Sequence, residues 1–261
     1  MTQTQSFAGK VALVTGAGIG IGYEICRAFA HAGAQVALND LDGDLAARSA
    51  AAINAEIGVE QVIGYGGDVA DVPATRRVIA AVADNFGRLD IAVANAGITL
   101  GGRFLDYEPE DFDRLLAVNL RGSYFTAQAA ARAMIERQIA GRIILMSSVT
   151  GVQAFRGLGT YGISKAGIRM MGRSLALELG AYGITVNVIA PGATITERTL
   201  QETSDYEGAW AAVIPTGRAA HVADIAAAAL FLCSPEARQI NGQTLLVDGG
   251  WTNISPLPPD Y

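Results

Sequence analysis

Tyr161 and Lys165, four positions apart, are the side chains of this sequence best suited to acid and base chemistry. Residues four apart share one face of an α-helix, so the ammonium group of Lys165 can lie beside the phenol of Tyr161, where its charge favours the phenolate form. Ser148 precedes them, at the end of an apolar run typical of a buried strand. Such a set suits proton transfer at a carbon that bears oxygen. The pair alone is equally compatible with an exposed helix that carries a Tyr and a Lys by chance.

A glycine-rich stretch near the N-terminus predicts a phosphate-binding turn. Glycines at 16, 20 and 22 lie between an apolar run and a helical pattern, and they fit Gly-x-x-x-Gly-x-Gly rather than Gly-x-Gly-x-x-Gly. Glycine lets the backbone turn sharply and approach a pyrophosphate, and the start of the following helix offers unpaired N–H groups. A plain strand-to-helix turn would also favour glycines, so this stretch needs support from elsewhere in the chain.

Asp40 gives that support, because it ends a predicted strand about twenty residues further on, where a carboxylate accepts the two hydroxyls of an adenosine ribose. A carboxylate there repels a 2′-phosphate. Neither Asn39 nor Leu41 is basic, and the turn itself contains no Arg or Lys. We therefore predict NAD rather than NADP as the cofactor. The alternative is that Asp40 only helps to form the local turn that begins at Leu41.

Alternating strands and helices must position these groups. Strands that are separated by helices of 10 to 20 residues require crossover connections, which are typical of a parallel sheet. We therefore predict an α/β fold in one domain over 1–261. It is a single Rossmann-type, doubly wound parallel sheet of about seven strands with helices on both faces. The strands are predicted at 10–15, 35–39, 61–65, 89–94, 142–146, 185–189 and 243–247, and the helices at 20–31, 44–57, 71–86, 111–137, 160–179 and 222–233. Asp71 is expected to cap its helix, with Pro73 in the first turn.

Two segments break this alternation. Residues 192–216 follow the sixth strand without a clear apolar period, and we interpret them as a substrate lid, called the lid segment below. The tail, 251–261, contains three prolines and is not expected to be helical.

Composition excludes several classes of function. A net charge of -6 and a pI near 5.0 argue against nucleic acid or an anionic membrane as the partner, and no apolar run approaches the length of a membrane span. Met1 to Ser6 lacks a hydrophobic signal core. Cys26 and Cys233 are expected to be core residues of a cytoplasmic, reducing compartment. The two histidines, His31 and His221, lie far apart, and no metal site is expected.

Taken in order, these motifs resemble the short-chain dehydrogenase/reductase family over nearly the whole chain, 7–250. The resemblance implies the NAD-binding residues Gly16, Gly18, Ile19, Gly20, Ile21, Gly22, Asp40, Leu41, Asp68, Val69, Asn95, Ala96, Gly97, Tyr161, Lys165, Pro191, Gly192, Thr194 and Thr196. Among these, Asp68 and Val69 look like the adenine contact and the segment from Pro191 like the nicotinamide contact. Thr194 departs from the Ile or Val that the family often has at that position.

The resemblance also implies a catalytic tetrad of Asn119, Ser148, Tyr161 and Lys165. In this hypothesis Tyr161 is the base in oxidation and the acid in reduction, while hydride moves between the substrate carbon and the nicotinamide. Lys165 supports the phenol and holds ribose hydroxyls, Ser148 donates a hydrogen bond to the substrate oxygen, and Asn119 holds a water that links Lys165 to solvent.

The predicted substrate pocket is polar, and this favours a sugar or polyol over a lipid because buried polar groups need partners. Its expected residues are Ser148, Thr150, Gln153, Arg156, Tyr161 and Gly192. The segment from Pro191 to Arg198 and the ending from Asp248 are similar to the aldose 1-dehydrogenase branch of the family. Reduction of 3-oxoacyl groups on a carrier protein is the alternative reaction, and an NAD(H) sensor without turnover is the alternative class.

Further copies of the chain are the expected macromolecular partners. The helices predicted at 111–137 and from 160 have Ala- and Leu-rich faces too wide for one core, which favours burial between subunits. The family resemblance implies a homotetramer.

Overall fold

Seven parallel strands form the central sheet of the computed structural model, which describes residues 6–202 and 205–254. They are β1 (Val11–Thr15), β2 (Gln35–Asp40), β3 (Val62–Gly66), β4 (Ile91–Ala94), β5 (Arg142–Met146), β6 (Thr185–Pro191) and β9 (Thr244–Val247), while β7 (Thr194–Ile195) and β8 (Ala220–His221) pair separately. The order across the sheet is β3-β2-β1-β4-β5-β6-β9, and every neighbouring pair is parallel. The predicted α/β class and strand number are confirmed.

Helices cover both faces of this sheet. They are α1 (Gly20–His31), α2 (Gly43–Ile57), α3 (Val72–Asn85), α4 (Pro109–Leu116), α5 (Ser123–Glu136), α6 (Gly159–Leu179), α7 (Glu197–Glu202), α8 (Tyr206–Ala211) and α9 (Val222–Cys233). Ala12 and Val14 of β1 pack with α1, α2 and α9, whereas Val11 and Leu13 pack with α3, α5 and α6. Successive strand residues face opposite sides, so a sheet buried on both faces needs continuous apolar strands.

Local capping chemistry sets two of the helix starts. The Asp71 carboxylate accepts a hydrogen bond from the N–H of Ala74, and Pro73 lies in the first turn of α3, as predicted. Asp42 caps α2 in the same way, accepting from the N–H groups of Asp44 and Leu45. Each carboxylate satisfies N–H groups that the helix itself leaves unpaired.

The prediction of one continuous α-helix over 111–137 is wrong for the middle of that range. Between α4 and α5, Ala117–Gly122 is a π-helical turn, and it contains Asn119. The side chain of Asn119 is fully buried there and bonds to the backbone of Ile98 on the segment after β4. That tertiary contact holds the wider turn, and apolar periodicity gives no signal for it.

A crevice is expected where the strand order reverses. From β1 the chain passes to β2 on one side, whereas β4 lies on the other side of β1, so the connections after β1 and β4 diverge at the carboxyl edge of the sheet. The lid segment, in which β7, α7 and α8 form, follows β6 at the same edge. Within the described part of the chain, no helix is long and apolar enough to cross a membrane.

Candidate active site

The glycine-rich stretch that leads from β1 into α1 has room only for glycine at two positions. Gly16 has a φ of +59°, and a Cβ there would lie 2.6 Å from the Cα of Ala96. A Cβ at Gly22 would lie 2.5 Å from the carbonyl oxygen of Gly16. Such close backbone packing forms a cradle at the start of α1 without side chains in the way.

The start of α1 carries backbone N–H groups that suit an anion. Ile19 occupies the N-cap position in an extended conformation, and among the described residues no side chain caps the helix. The first turn of α1 carries no acidic residue. Its unpaired N–H groups and the positive end of the helix dipole therefore suit a phosphate, and the residues present fit the pyrophosphate of a dinucleotide.

Asn95, immediately after β4, ties that strand to the glycine turn. Its side-chain amide donates to the carbonyl oxygens of Thr15 and Gly16, both at 2.9 Å. In return, the hydroxyl of Thr15 accepts from the N–H groups of Asn95 and Ala96 at 3.1 and 3.2 Å. These four bonds hold the ends of β1 and β4 together, and they fix the shape of the turn.

Asp40 is held in place at the end of β2. Its Oδ2 accepts a 2.9 Å hydrogen bond from the N–H of Gly18, and its Oδ1 accepts one of 3.2 Å from the N–H of Asp42. The carboxyl group of Asp40 is thus fixed beside the glycine turn, and the neighbouring Leu41 is exposed. Asp68 forms its own turn by accepting from the N–H of Ala70 at 2.8 Å.

Tyr161 and Lys165 come together on the first turns of α6, as their spacing predicts. The Lys165 Nζ lies 5.5 Å from the centroid of the Tyr161 ring and donates a 2.9 Å hydrogen bond to the carbonyl of Met146. The Lys165 side chain is buried. This burial lowers the pKa of Lys165, while the charge of Tyr161 acts in the opposite direction.

Ser148 begins the 3₁₀ turn that follows β5. Its Oγ accepts a 3.2 Å bond from the N–H of Thr150, and its own hydroxyl proton meets no acceptor in the part of the chain that the structure describes. The turn lies directly against α6, because a Cβ at Gly162 would be 2.9 Å from the carbonyl oxygen of Thr150 and one at Gly151 would be 2.7 Å from the carbonyl carbon of Lys165. Glycine at both positions allows the turn to approach the helix.

Arg169 joins the same turn to α6, and sequence reasoning missed it. Its Nη1 donates a 2.7 Å hydrogen bond to the carbonyl oxygen of Gly151. The sequence does place Arg169 four residues after Lys165, and therefore on the same face of the helix as Tyr161 and Lys165. That spacing alone does not reveal an acceptor on another segment.

Asn119 reaches the site from the π-helical turn. Its Oδ1 accepts from the N–H of Ile98 at 2.8 Å, and its Nδ2 donates to the carbonyl of Ile98 at 2.9 Å and to Ser164 Oγ at 3.3 Å. A Cβ at Gly97 would lie 3.2 Å from Lys165 Nζ and 3.3 Å from Asn119 Oδ1. Asn119 and Lys165 therefore face the same small gap beside Gly97.

The segment after β6 returns to the glycine turn. Gly192 packs against Asp248, since a Cβ at Gly192 would lie 2.8 Å from the Cβ of Asp248. Thr194 is buried and donates to the carbonyl of Gly192 at 3.1 Å. A Cβ at Gly20 would lie 3.7 Å from Thr196 Cγ2. The structure thus brings Thr196 to the edge of the predicted phosphate cradle. Glu197 Oε2 would lie 3.6 Å from the same Cβ, so this carboxylate has to turn away when a phosphate binds there.

The predicted substrate residues are placed less uniformly. The Thr150 hydroxyl is buried, without a hydrogen-bond partner among the residues described. Gln153 is half-buried and donates to the carbonyl of Thr252 at 3.1 Å, whereas Arg156 is exposed. Sequence reasoning missed the aromatic side chains of Phe155, Trp210 and Trp251, which meet one another on this side of the site.

Comparison with known proteins agrees with this geometry. A family model described as enoyl-(acyl carrier protein) reductase matches residues 16–252. The D-threitol dehydrogenase of Mycolicibacterium smegmatis is 38% identical, over 97% of this chain and 99% of its own, and the L-rhamnose 1-dehydrogenase (NAD(P)(+)) of Azotobacter vinelandii is 36% identical, over 92% and 96%. The crystal structure of a gluconate 5-dehydrogenase from Burkholderia cenocepacia in complex with NADP and tartrate has a TM-score of 0.90 at 35% identity, covering 97% of this chain and 99% of that one.

The doubly wound sheet, the glycine turn and the Tyr161–Lys165 pair, together with these relatives, define a nicotinamide-dependent oxidoreductase that acts on CH–OH groups. The chain belongs to the short-chain dehydrogenase/reductase family.

Proposed function

We propose that the chain oxidises a CH–OH group of a sugar or polyol with NAD, most closely in the manner of an aldose 1-dehydrogenase, and catalyses the reverse reduction. The observation that carries this proposal is the packing of the Ser148 turn against α6, which brings Ser148 to the segment that holds Tyr161 and Lys165. The nicotinamide, when bound, supplies the acceptor or donor of the hydride.

Within this proposal each side chain of the tetrad has a role that its contacts support. Tyr161 takes the proton of the substrate hydroxyl in oxidation and returns it in reduction. Ser148 donates a hydrogen bond to the same oxygen, for which its proton is available because, among residues 6–202 and 205–254, its Oγ accepts from Thr150 and donates to no group. Lys165 has one of its three N–H donors on Met146, and the other two can serve Tyr161 and the ribose hydroxyls.

Asn119 is proposed to hold a water that links Lys165 to solvent. Its amide is clamped by Ile98, so its orientation is set, and Oδ1 keeps one lone pair beyond the bond from that backbone N–H. The gap beside Gly97, which both Lys165 and Asn119 face, supports a water between them. Protons leaving Tyr161 would then have a path away from the buried site.

NAD is the proposed cofactor, rather than NADP, because of Asp40. Two backbone N–H groups hold its carboxylate beside the glycine turn, where it would accept ribose hydroxyls and repel a 2′-phosphate. The proposed cofactor-binding residues remain those predicted from the sequence. The relatives leave this choice open, since one is named for both cofactors and one was crystallised with NADP.

A polyhydroxylated substrate is favoured by the half-buried amide of Gln153 beside the Ser148 turn and by the names of the relatives, which include threitol and rhamnose dehydrogenases. The description of the matching family model favours the second candidate, reduction of an acyl group on a carrier protein. The chain has a net charge of -6, and this charge makes docking of an acidic carrier protein unfavourable because like charges repel.

A reduction screen with NAD and NADP over aldoses, polyols, secondary alcohols and hydroxyacids tests the proposal. We expect NADH formation with at least one sugar or polyol. Tyr161→Phe should lower kcat by about 10²-fold or more, because the hydroxyl that carries the proton is lost. NAD binding should be retained, because the ring remains. A fully active Tyr161→Phe variant would overturn the assignment. NAD(H) binding without turnover on the whole panel would instead support a sensor.

We further propose a homotetramer in the cytoplasm. Ile163, Met170 and Leu177 recur every seven residues on α6 and are 59%, 62% and 86% exposed. Met170 also lines a groove of about 900 Å³ between α6 and the helices at 109–136. An apolar stripe of this kind is typical of a helix face that a second subunit covers. The buried free thiols of Cys26 and Cys233 are compatible with a reducing compartment.

A further inference from the structure

Both tryptophans of the chain belong to one aromatic cluster, formed by Phe155, Tyr206, Trp210 and Trp251. Trp251 stacks on Phe155 with ring centroids 5.2 Å apart and an angle of 23° between the planes. On another side it meets Trp210 edge to face, at 4.8 Å and 87°. Trp251 is therefore the central ring, and it joins three segments that are distant in the sequence.

The backbone that carries Trp251 is fixed from two directions. The Asp248 carboxylate accepts from the N–H of Gly250 at 2.9 Å and from the N–H and hydroxyl of Thr252 at 2.9 and 2.7 Å. Gln153 donates to the carbonyl of Thr252 at 3.1 Å. Trp251 thus projects from a turn whose conformation is determined by hydrogen bonds, not from a free end.

Each of the three joined segments adjoins a part of the chain predicted to line the substrate pocket. Phe155 and Gln153 lie in the connection between the Ser148 turn and α6. Trp210 lies in α8 of the lid segment, and Trp251 follows Asp248, which packs against Gly192 at the end of β6. No residue of the tetrad belongs to the cluster, so the cluster does not take part in the proposed proton transfer.

We propose that Trp251 is a positioning residue that fixes the substrate pocket. Its contact with Trp210 holds α8 of the lid segment beside the connection that carries Gln153. The bond from Gln153 Nε2 to Thr252 orients that amide, and Oε1 stays available to accept from a substrate hydroxyl. This inference rests on the proposed function, and it makes Trp251 a determinant of affinity for polyhydroxylated substrates.

Steady-state kinetics of Trp251→Ala and Trp251→Phe test it. For a sugar or polyol that the unmodified enzyme oxidises, we expect Trp251→Ala to raise KM about tenfold, since two aromatic contacts are lost. The values of kcat and of KM for NAD should change little, KM for a simple secondary alcohol should change less, and Trp251→Phe should restore most of the affinity. Tyr182→Ala, an exposed ring outside the cluster, is the control.

Limited trypsin digestion gives a readout that needs no substrate. Arg198 lies in α7 of the lid segment, and cleavage after it should be faster in Trp251→Ala than in the unmodified protein or in Trp251→Phe. If Trp251→Ala does not fold, Trp210→Ala breaks the same contact from the lid side and should give the same two results. Equal losses for sugar and simple alcohol, a large rise in KM for NAD, or unchanged cleavage would overturn the inference. Failure of the unmodified enzyme on every sugar and polyol overturns the proposed function instead, and the cleavage result still decides the role of Trp251 in the lid.

Discussion

The buried ammonium group of Lys165 donates a 2.9 Å hydrogen bond to the carbonyl oxygen of Met146, the last residue of β5. The Ser147 hydroxyl, one residue further on, donates a 2.7 Å bond back to the carbonyl of Lys165. The strand that leads into Ser148 and the helix that carries Tyr161 are therefore joined directly. These two bonds set their relative position, in addition to the longer connection between Ser148 and α6.

The first prediction concerns the gap beside Gly97. A methyl group in Gly97→Ala would lie 3.2 Å from Lys165 Nζ and 3.3 Å from Asn119 Oδ1, so both groups must shift by a few tenths of an ångström. Because catalysis is sensitive to such misplacement, we expect kcat to fall about tenfold or more with the fold retained. Gly159→Ala, where a Cβ meets nothing within 4 Å, is the matched control. Similar kcat values for the two variants would contradict the prediction.

The second prediction concerns Arg169. Arg169→Met removes the donor to the Gly151 carbonyl, and the turn that begins at Ser148 loses a contact with α6. We expect kcat to fall about tenfold, because the lost hydrogen bond contributes about one to two kcal/mol to holding the Ser148 turn in its reactive position. KM for NAD should stay within a factor of two. Arg169→Lys should recover part of the rate. Arg173→Met, exposed on the next turn of α6, should behave like the unmodified enzyme.

Cofactor choice gives the third prediction. Asp40→Ala removes the carboxylate that would accept ribose hydroxyls, and it also removes the repulsion of a 2′-phosphate. The ratio of kcat/KM for NADP to that for NAD should rise about tenfold or more. Asp42→Ala is a close control, since Asp42 caps α2 and its loss should lower stability by about 1 kcal/mol without changing the ratio. An unchanged ratio in Asp40→Ala would show that Asp40 only shapes the turn.

The fourth prediction concerns stability at the opposite edge of the sheet. Asp90 accepts from Arg88, from the N–H of Val11 and from Lys10, at 2.7, 3.0 and 3.1 Å. Burial alone would raise the pKa of Asp90, but these hydrogen bonds together hold it below its usual value of 3.8. A lowered folded-state pKa means that the stabilisation is complete above the usual pKa and is lost as the pH falls through the folded value.

Asp90→Asn should therefore lower the free energy of unfolding by about 1 to 3 kcal/mol at neutral pH. Urea unfolding of the unmodified protein and of the variant, from pH 7 down to the lowest pH at which both are folded, measures the effect. The difference between their free energies of unfolding should shrink as the pH falls below about 4. The kcat of the variant should be unchanged, because Asp90 lies at the amino end of β4, away from the tetrad. A difference that stays constant with pH would show that the charge of Asp90 is not involved.

The fifth prediction concerns assembly. Met170→Glu places a charge in the middle of the exposed apolar stripe on α6 and should convert the proposed tetramer to smaller species, because a buried unpaired charge is costly. Light scattering coupled to size-exclusion chromatography measures the mass. Val59→Glu, also at an exposed apolar residue but in the turn after α2, should leave the assembly intact. A monomeric unmodified protein would contradict the proposed tetramer directly.

Much of the fold and the site could be predicted because the signals are local. Positions 16 and 22 need glycine because neighbouring backbone lies too close for a Cβ, and Asp71 caps α3 by accepting from the N–H of Ala74, three residues further on. Tyr161 and Lys165 meet because a helix repeats its face every four residues. The apolar strands predicted a sheet buried on both sides, and the structure has one. For such features, a few neighbouring residues contain the whole physical argument.

The remaining features depend on residues that only the folded chain brings together. The amino acid sequence alone determined the class of fold, the glycine turn and the Tyr161–Lys165 pair, since each arises from spacing along one strand, turn or helix. Only the tertiary structure decided the π-helical turn at Asn119, the hydrogen bond from Arg169 to Gly151 and the aromatic contacts of Trp251. Gln153 and Thr252, for example, are hydrogen-bonded across 99 positions. No local pattern encodes such a contact, because it exists only after the sheet has brought the ends of β5 and β9 to the same edge.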